Sequence, residues 1–206
     1  MLDGTEMFRI ITASCFVGTM AISTFYRRRA RAEGETIPRR RESTLLIAGR
    51  AVVALPLFGS VILYIAAPQV MAWAAFSIPN WVRGVGAVLG LASVPMAYWV
   101  FSSLGPNVSE TVLTKEEHVL VTGGPYRWVR HPLYLTGLML FAGIGLMNSS
   151  WFVVGLSVVT LVGILTLVIP REEAHLVARF GDRYRDLVRR TGRLLPRIER
   201  RGGRAV

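Results

Sequence analysis

Residues 133–169, LYLTGLMLFAGIGLMNSSWFVVGLSVVTLVGILTLVI, decide the fold, because this stretch holds no charged side chain. Two apolar runs, residues 133–147 and 151–169, flank the polar sequence Asn148-Ser149-Ser150. An apolar helix of about 17–25 residues can cross the hydrocarbon layer of a bilayer, and short polar residues favour a reversal of the chain. The pattern predicts two antiparallel membrane helices, of which the first is short for a full crossing.

Three further apolar runs precede this pair, at about residues 8–26, 44–67 and 81–101. In the third run, Gly86 and Gly90 have the four-residue spacing that lets membrane helices approach closely. Pro170 closes the fifth apolar run, and residues 171–190 are predicted to form a surface helix. We therefore predict an all-α integral membrane bundle of about five transmembrane helices with a C-terminal cytoplasmic surface helix.

The charge distribution orients this bundle. The chain has 24 Lys and Arg against 13 Asp and Glu, a net charge of +11. Most of the basic residues fall in residues 27–41, 115–130 and 171–204, and in membrane proteins such an excess marks the cytoplasmic side. Five crossings then place the amino terminus outside and the polar segments 102–131 and 171–190 together on the cytoplasmic face. Because basic residues flank apolar runs instead of forming one folded surface, a nucleic-acid partner is not expected.

The first polar segment places a tight turn and a helix start close together. Gly123-Gly124-Pro125 is typical of a turn that brings the backbone near a neighbour. Pro132 suits the first turn of a helix, so Arg130 and His131 lie at the helix start, where unpaired amides favour anionic groups. The residues alone leave two readings open, a ligand site or an interfacial anchor for lipid phosphates.

The second polar segment begins with two adjacent carboxylates, Glu172 and Glu173, in strongly basic surroundings. A carboxylate can accept hydrogen bonds from ribose hydroxyls or an amino group. Acidic residues also suit a solvated helix N-terminus, and the residues alone do not separate these readings. The three histidines share no ligand spacing, so no metal site is expected.

Together the two segments resemble the isoprenylcysteine carboxyl methyltransferase family. The matching motifs are Gly105-Pro106-Asn107-Val108-Ser109, His118-x-Leu120-Val121-Thr122-x-Gly124-Pro125-Tyr126, Arg130-His131-Pro132-x-Tyr134-x-x-Gly137, Glu172-Glu173, Phe180-Gly181-x-x-Tyr184 and Leu195-Pro196. On this basis residues 1–101 are expected to hold the first three membrane helices and residues 102–198 the cofactor-binding core. Residues 199–206 are expected to form a disordered basic tail.

The resemblance implies a membrane enzyme that transfers a methyl group from S-adenosylmethionine to a lipid-like or prenylated acceptor at a carboxylate, amine or thiol. The implied partners are thus the bilayer and a lipophilic acceptor; no oligomeric state is predicted. We assign Arg130 to orienting or neutralising the acceptor. The family's cofactor contacts carry over onto His118, Val119, Leu120, Val121, Tyr126, His131, Pro132, Leu133, Tyr134 and Glu172. Two positions depart from the family: Thr111 replaces a glutamine that contacts the cofactor, and Val168 replaces an arginine assigned to the prenylcysteine substrate.

Two other functions compete with this one. Membrane reductases that use NADPH share an Arg-His-Pro-x-Tyr element, and a membrane scaffold or small transporter needs no catalytic site. The paired glutamates favour the methyltransferase over the reductase. A transporter predicts polar side chains facing a pore, and Arg50 is the one charge clearly inside a predicted span.

Overall fold

The computed structural model describes residues 4–32, 44–108 and 119–197. Over these ranges the chain is helical, without a named strand, which confirms the predicted all-α class. The α-helices are α1 (Gly4–Ala32), α2 (Thr44–Ala66), α3 (Asn80–Leu104), α4 (Pro132–Met147), α5 (Trp151–Gly163), α6 (Ile169–Phe180) and α7 (Asp182–Arg190). Residues 199–206, predicted to be a disordered tail, lie outside the described ranges.

Three helical segments are long and apolar enough to cross a membrane. They are Gly4–Ala32, Asn80–Asn107 and Trp151–Phe180, of 29, 28 and 30 residues. Two shorter apolar helices, Ala51–Ala66 and Pro132–Met147, accompany them, so each of the five predicted runs lies in a helix. The number and direction of the crossings stay predictions.

Glycine contacts bring α3 and α4 together at the end far from the polar segments. A Cβ on Gly86 would lie 2.5 Å from the amide nitrogen of Met147 and 2.7 Å from the carbonyl oxygen of Gly143. A Cβ on Gly143 would lie 2.7 Å from the amide nitrogen of Gly90. Only glycine permits this backbone approach at Gly86 and Gly143. Of the Gly86 and Gly90 pair, Gly86 has the close packing role, whereas a Cβ on Gly90 would lie no closer than 3.6 Å to its neighbours.

One hydrophobic core joins the first five helices. Its buried members come from every one of them: Cys15, Phe16, Leu57, Val61, Ala87, Leu140, Ile144, Met147 and Val153. A second cluster, near the cytoplasmic end predicted from the charges, joins Ala30 of α1, Ala97 and Phe101 of α3, and Val108. Residues on both sides of the predicted boundary at residue 101 therefore pack in one bundle.

The boundary predicted at Pro170 between the fifth span and a separate surface helix is wrong. The helical chain continues from α5 through a π-helical turn, Ile164–Val168, into α6, and Pro170 occupies the first turn of α6. A proline inside an α-helix lacks one amide donor and crowds the preceding turn, and a π turn widens the backbone at that point. Helix α5 is therefore continuous with the start of α6, which bears Glu172 in its first turn and Glu173 directly after it.

The single surface helix predicted for residues 171–190 is also wrong. Gly181 has φ of 53°, a conformation that glycine adopts at little cost, and it separates α6 from α7. In α7, Tyr184 and Leu187 are buried. This break turns α7 back towards the start of α4.

Candidate active site

Two helix starts meet at one end of the bundle. His131 precedes the first residue of α4, Pro132, as the sequence predicts. Glu172 lies in the first turn of α6, and Glu173 follows it directly. Because α4 and α5 run in opposite directions, the start of α4 and the continuation of α5 share an end. One link between them is the hydrogen bond from Nε of Arg130 to Oε1 of Glu173, at 2.9 Å.

The His131 ring lies between the two carboxylates and is 96% buried. Its Nδ1 is 3.6 Å from Oε2 of Glu172, and its Nε2 is 3.5 Å from Oε1 of Glu173. The Nε2 atom is buried and makes no hydrogen bond with the described residues. Tyr134 completes the group: its hydroxyl donates to Oε2 of Glu172 at 2.9 Å, and its ring stacks on His131 with centroids 5.7 Å apart.

Tyr126 reaches this group from a short helical turn, Gly124–Arg127. Gly124 has φ of 57°, and a Cβ there would collide with the side chain of Ser103 at the end of α3. The predicted close approach at Gly-Gly-Pro is therefore confirmed. Burial, and then the negative charge of nearby Glu172, raises the pKa of the Tyr126 hydroxyl, so this group stays protonated at neutral pH.

Glu173 and Glu172 have different surroundings. Both oxygens of Glu173 accept hydrogen bonds from arginines, Oε1 from Arg130 and Oε2 from Nη2 of Arg193 at 3.1 Å. The Arg130 side chain is 8% exposed and that of Glu173 15%, whereas Glu172 is 28% exposed. Glu173 is thus neutralised inside the protein, and Glu172 is the more accessible acceptor.

The segment that follows α7 also contributes to the site, which was not predicted from the sequence. Arg130 donates from Nη1 to the carbonyl oxygen of Val188 at 3.3 Å and to that of Thr191. Residue Gly192 pairs in parallel with Val129, and Arg193 contacts Glu173. A buried arginine requires an acidic partner, so the pairing of Arg130 with one of the two glutamates could have been predicted. Nothing in the sequence distinguishes Arg193 from the ten other arginines of the C-terminal region.

The other predicted cofactor contacts lie outside the group formed by His131, Tyr134 and the two glutamates, or outside the described residues. Val119 is exposed, and its amide donates to the side chain of Asn107 at 3.1 Å. Leu120 and Val121 are half-buried in the segment that leads to the turn, and Pro132 is buried. Leu133 packs against the second hydrophobic cluster, and His118 and Thr111 lie outside the described residues. The contact of each with a cofactor stays a prediction.

Comparison with known proteins decides the family. A sequence model described as phospholipid methyltransferase matches residues 81–183, half of the 206-residue chain. The chain belongs to the phospholipid methyltransferase family. The matched region includes the Arg130-His131-Pro132 element and both glutamates, so the site lies inside the region that defines the family.

Curated relatives of this family member match it over shorter stretches. It is 36% identical over 86 residues to nickel-cobalt-cadmium resistance protein NccN of Alcaligenes xylosoxydans xylosoxydans, covering 38% of this chain and 37% of that protein. It is 34% identical over 71 residues to methanethiol S-methyltransferase of Mycobacterium tuberculosis, covering 34% and 28%. It is 34% identical over 82 residues to protein-S-isoprenylcysteine O-methyltransferase of Schizosaccharomyces pombe, covering 39% and 35%. The matches span just over a third of these relatives or less.

The fold has a solved counterpart. A eukaryotic intramembrane Ras methyltransferase, an isoprenylcysteine carboxyl methyltransferase, matches with a TM-score of 0.53 and 20% identity, over 92% of this chain and 68% of that chain. At this identity the likeness shows the fold. Together with the family model and the relative named for isoprenylcysteine, it confirms the family resemblance read from the sequence. With the long apolar helices, the fold identifies an integral membrane protein.

Proposed function

We propose that this protein is an S-adenosylmethionine-dependent methyltransferase of the membrane that acts on a lipid-like or prenylated acceptor. One observation carries the proposal: Tyr126, His131 and Tyr134 cluster with Glu172, which is 38 residues from Tyr134 in the sequence, where the starts of α4 and α6 meet. The family resemblance implies each of these residues as a cofactor contact.

The chemistry of the cluster fits S-adenosylmethionine. The cofactor has an amino group, ribose hydroxyls and a positive sulfonium, all of which favour a carboxylate or another acceptor. Glu172 is a partly exposed carboxylate already held by the Tyr134 hydroxyl. His131 adds a buried ring nitrogen without a hydrogen bond among the described residues, and such an atom in a folded protein calls for an explanation.

S-adenosylmethionine, when bound, would supply a methyl group whose carbon a nucleophile on the acceptor attacks in line, with S-adenosylhomocysteine as the leaving group. Such a displacement depends on alignment and on exclusion of water. Glu172, fixed by Tyr134, would bind and orient the cofactor, and the aromatic rings of Tyr126 and Tyr134 would shield it from water. Arg130 and Glu173 form an ion pair beside the site, which limits the net charge placed there.

Arg130 is assigned to orienting or neutralising the acceptor, and direct contact between them stays a prediction. Its hydrogen bonds to Glu173 and to the carbonyl oxygens of Val188 and Thr191 support an indirect role. Through these bonds it fixes the segment that carries His131. We therefore propose that Arg130 contributes mainly by positioning the site.

The acceptor is proposed by class only. The relatives include proteins named for methanethiol and for protein isoprenylcysteine, and a membrane-embedded bundle suits an apolar acceptor. Val168 lies one turn before Glu172 and is half-buried, and it brings no positive charge to this point. We therefore propose an acceptor without a free carboxylate, such as a lipid amine or thiol.

Transfer of a labelled methyl group to the lipids of a membrane extract tests this function. The protein in lipid nanodiscs would be incubated with methyl-labelled S-adenosylmethionine and membrane lipid extract, and labelled lipids identified by mass spectrometry. A matched reaction would contain NADPH and the same extract. We expect label in a lipid fraction with wild-type protein and much less with Glu172→Ala. Reduction of lipids with NADPH, without methyl transfer, would contradict the proposal and favour the reductase.

A further inference from the structure

The segment after α7 forms part of the backbone framework of the site. The amide of Gly192 donates to the carbonyl oxygen of Trp128 at 3.2 Å, and the amides of Arg130 and His131 donate to the carbonyl oxygens of Gly192 and Arg193 at 2.9 and 3.0 Å. Amides at a helix start have no partner within the helix. The carbonyl oxygen of Arg193 supplies that partner for the His131 amide. This hydrogen bond fixes the backbone position of His131 and hence the position of its ring.

The side chain of Arg193 extends this framework to Glu173. Its Nη2 donates to Oε2 of Glu173 at 3.1 Å, while Nε of Arg130 donates to Oε1 at 2.9 Å. Glu173 is therefore held by two guanidinium groups, one preceding α4 and one following α7. In this orientation its Oε1 lies 3.5 Å from Nε2 of His131.

We propose that Arg193 is a positioning residue of the cofactor site, which acts by holding Glu173 against the His131 ring. This inference rests on the proposed function. With both oxygens of Glu173 bound to arginines, Glu172 is the carboxylate left to bind the ligand. Arg193 thus determines which of the two adjacent glutamates faces the cofactor.

The exposure of Arg193 makes this role separable from stability. Its side chain is 49% exposed, and ion pairs at exposed positions add little to folding stability. Loss of Arg193 should therefore alter the geometry around His131 while the bundle stays folded. A purely structural residue would show the opposite pattern, with a lower unfolding temperature and unchanged ligand affinity.

Binding of S-adenosylmethionine to the full chain in nanodiscs tests the proposal, measured by isothermal titration calorimetry. The variants are Arg193→Ala, Arg193→Lys and the control Arg197→Ala, an exposed arginine of the same segment that donates to a carbonyl oxygen. We expect Arg193→Ala to raise the Kd about two- to fivefold, the scale of one exposed ion pair, and Arg193→Lys to recover part of the affinity. Arg197→Ala should leave the Kd unchanged.

A double variant shows whether Arg193 acts through Glu173. In a Glu173→Gln background, Arg193→Ala should cause no further change in Kd, because the charge that it holds is gone. If the wild-type protein binds and Arg193→Ala has the same Kd as Arg197→Ala, the role of Arg193 is overturned while the proposed function stands. The role of Arg193 is also overturned if Arg193→Ala raises the Kd as much in the Glu173→Gln background as in the wild type. Absence of binding by the wild-type protein would reject the proposed function and this inference with it. If Glu173→Gln does not fold, the comparison of single variants still decides.

Discussion

Replacing Glu173 by alanine should destabilise the protein much more than the same change at Glu172. Glu173 accepts a charged hydrogen bond from Arg130, whose side chain is 8% exposed, and another from Arg193, which is 49% exposed. A charged hydrogen bond contributes about 1.5–3 kcal/mol, and an exposed ion pair about 0–1 kcal/mol. In the Glu173→Ala variant, Arg130 keeps its two carbonyl acceptors. The decrease in the free energy of unfolding should therefore stay below the ~3–5 kcal/mol expected when a buried charge loses its partner. We expect a loss of about 2–3 kcal/mol.

The matched control is Glu172→Ala. Glu172 is 28% exposed and accepts one hydrogen bond, from the Tyr134 hydroxyl, so its loss should lower the free energy of unfolding by about 1 kcal/mol or less. Thermal unfolding of both variants in one detergent and at one scan rate measures the difference. For a chain of this size, the Glu173 variant should unfold roughly 4–12 °C below the wild-type protein, at ~2–4 °C per kcal/mol. Equal midpoints, or a larger fall for the Glu172 variant, would refute this assignment of the two carboxylates.

Three further predictions test the packing, the turn and the topology. Gly86→Leu should destabilise the bundle by about 1–3 kcal/mol through overpacking, whereas Gly84→Leu, at a position with no atom within 4 Å, should be tolerated in the same unfolding assay. Gly124→Ala, at φ of 57°, should weaken S-adenosylmethionine binding by displacing Tyr126, and Gly123→Ala, with φ of −92°, should bind as wild type. Arg197→Cys, in a background in which Cys15 is replaced by serine, should be protected from an impermeant thiol reagent outside intact cells. The packing prediction would be contradicted if Gly84→Leu destabilised the protein as much as Gly86→Leu. Unchanged cofactor binding by Gly124→Ala would contradict the turn prediction, and labelling of residue 197 from outside would contradict the topology.

The helices and the two ends of the site could be predicted because each rests on local pattern. The uncharged stretch 133–169 with its Asn148-Ser149-Ser150 turn gives a helical hairpin, and a hairpin returns residue 170 to the level of residue 132. Pro132 then sets the start of α4. This is why Arg130 and His131 and the two glutamates could be placed near one another from the sequence.

The sequence could not show how the chain passes Pro170. Proline normally ends or kinks a helix, and the π turn at Ile164–Val168 that precedes it depends on packing within the bundle. The break came instead at Gly181, where a positive φ separates α6 from α7. Without this break, the return of residues 191–193 to the start of α4 was not visible. The role of Arg193 was missed for the same reason.

Binding of S-adenosylmethionine to purified wild-type protein and to Glu172→Ala, by isothermal titration calorimetry in nanodiscs, tests the central claim most directly. Wild-type protein should bind one cofactor per chain. Loss of the Glu172 carboxylate should weaken binding by about 1–3 kcal/mol, the scale of a charged hydrogen bond, or roughly 5- to 150-fold in Kd. No binding by the wild-type protein, or equal affinity for both proteins, would contradict a cofactor site at the meeting of α4 and α6.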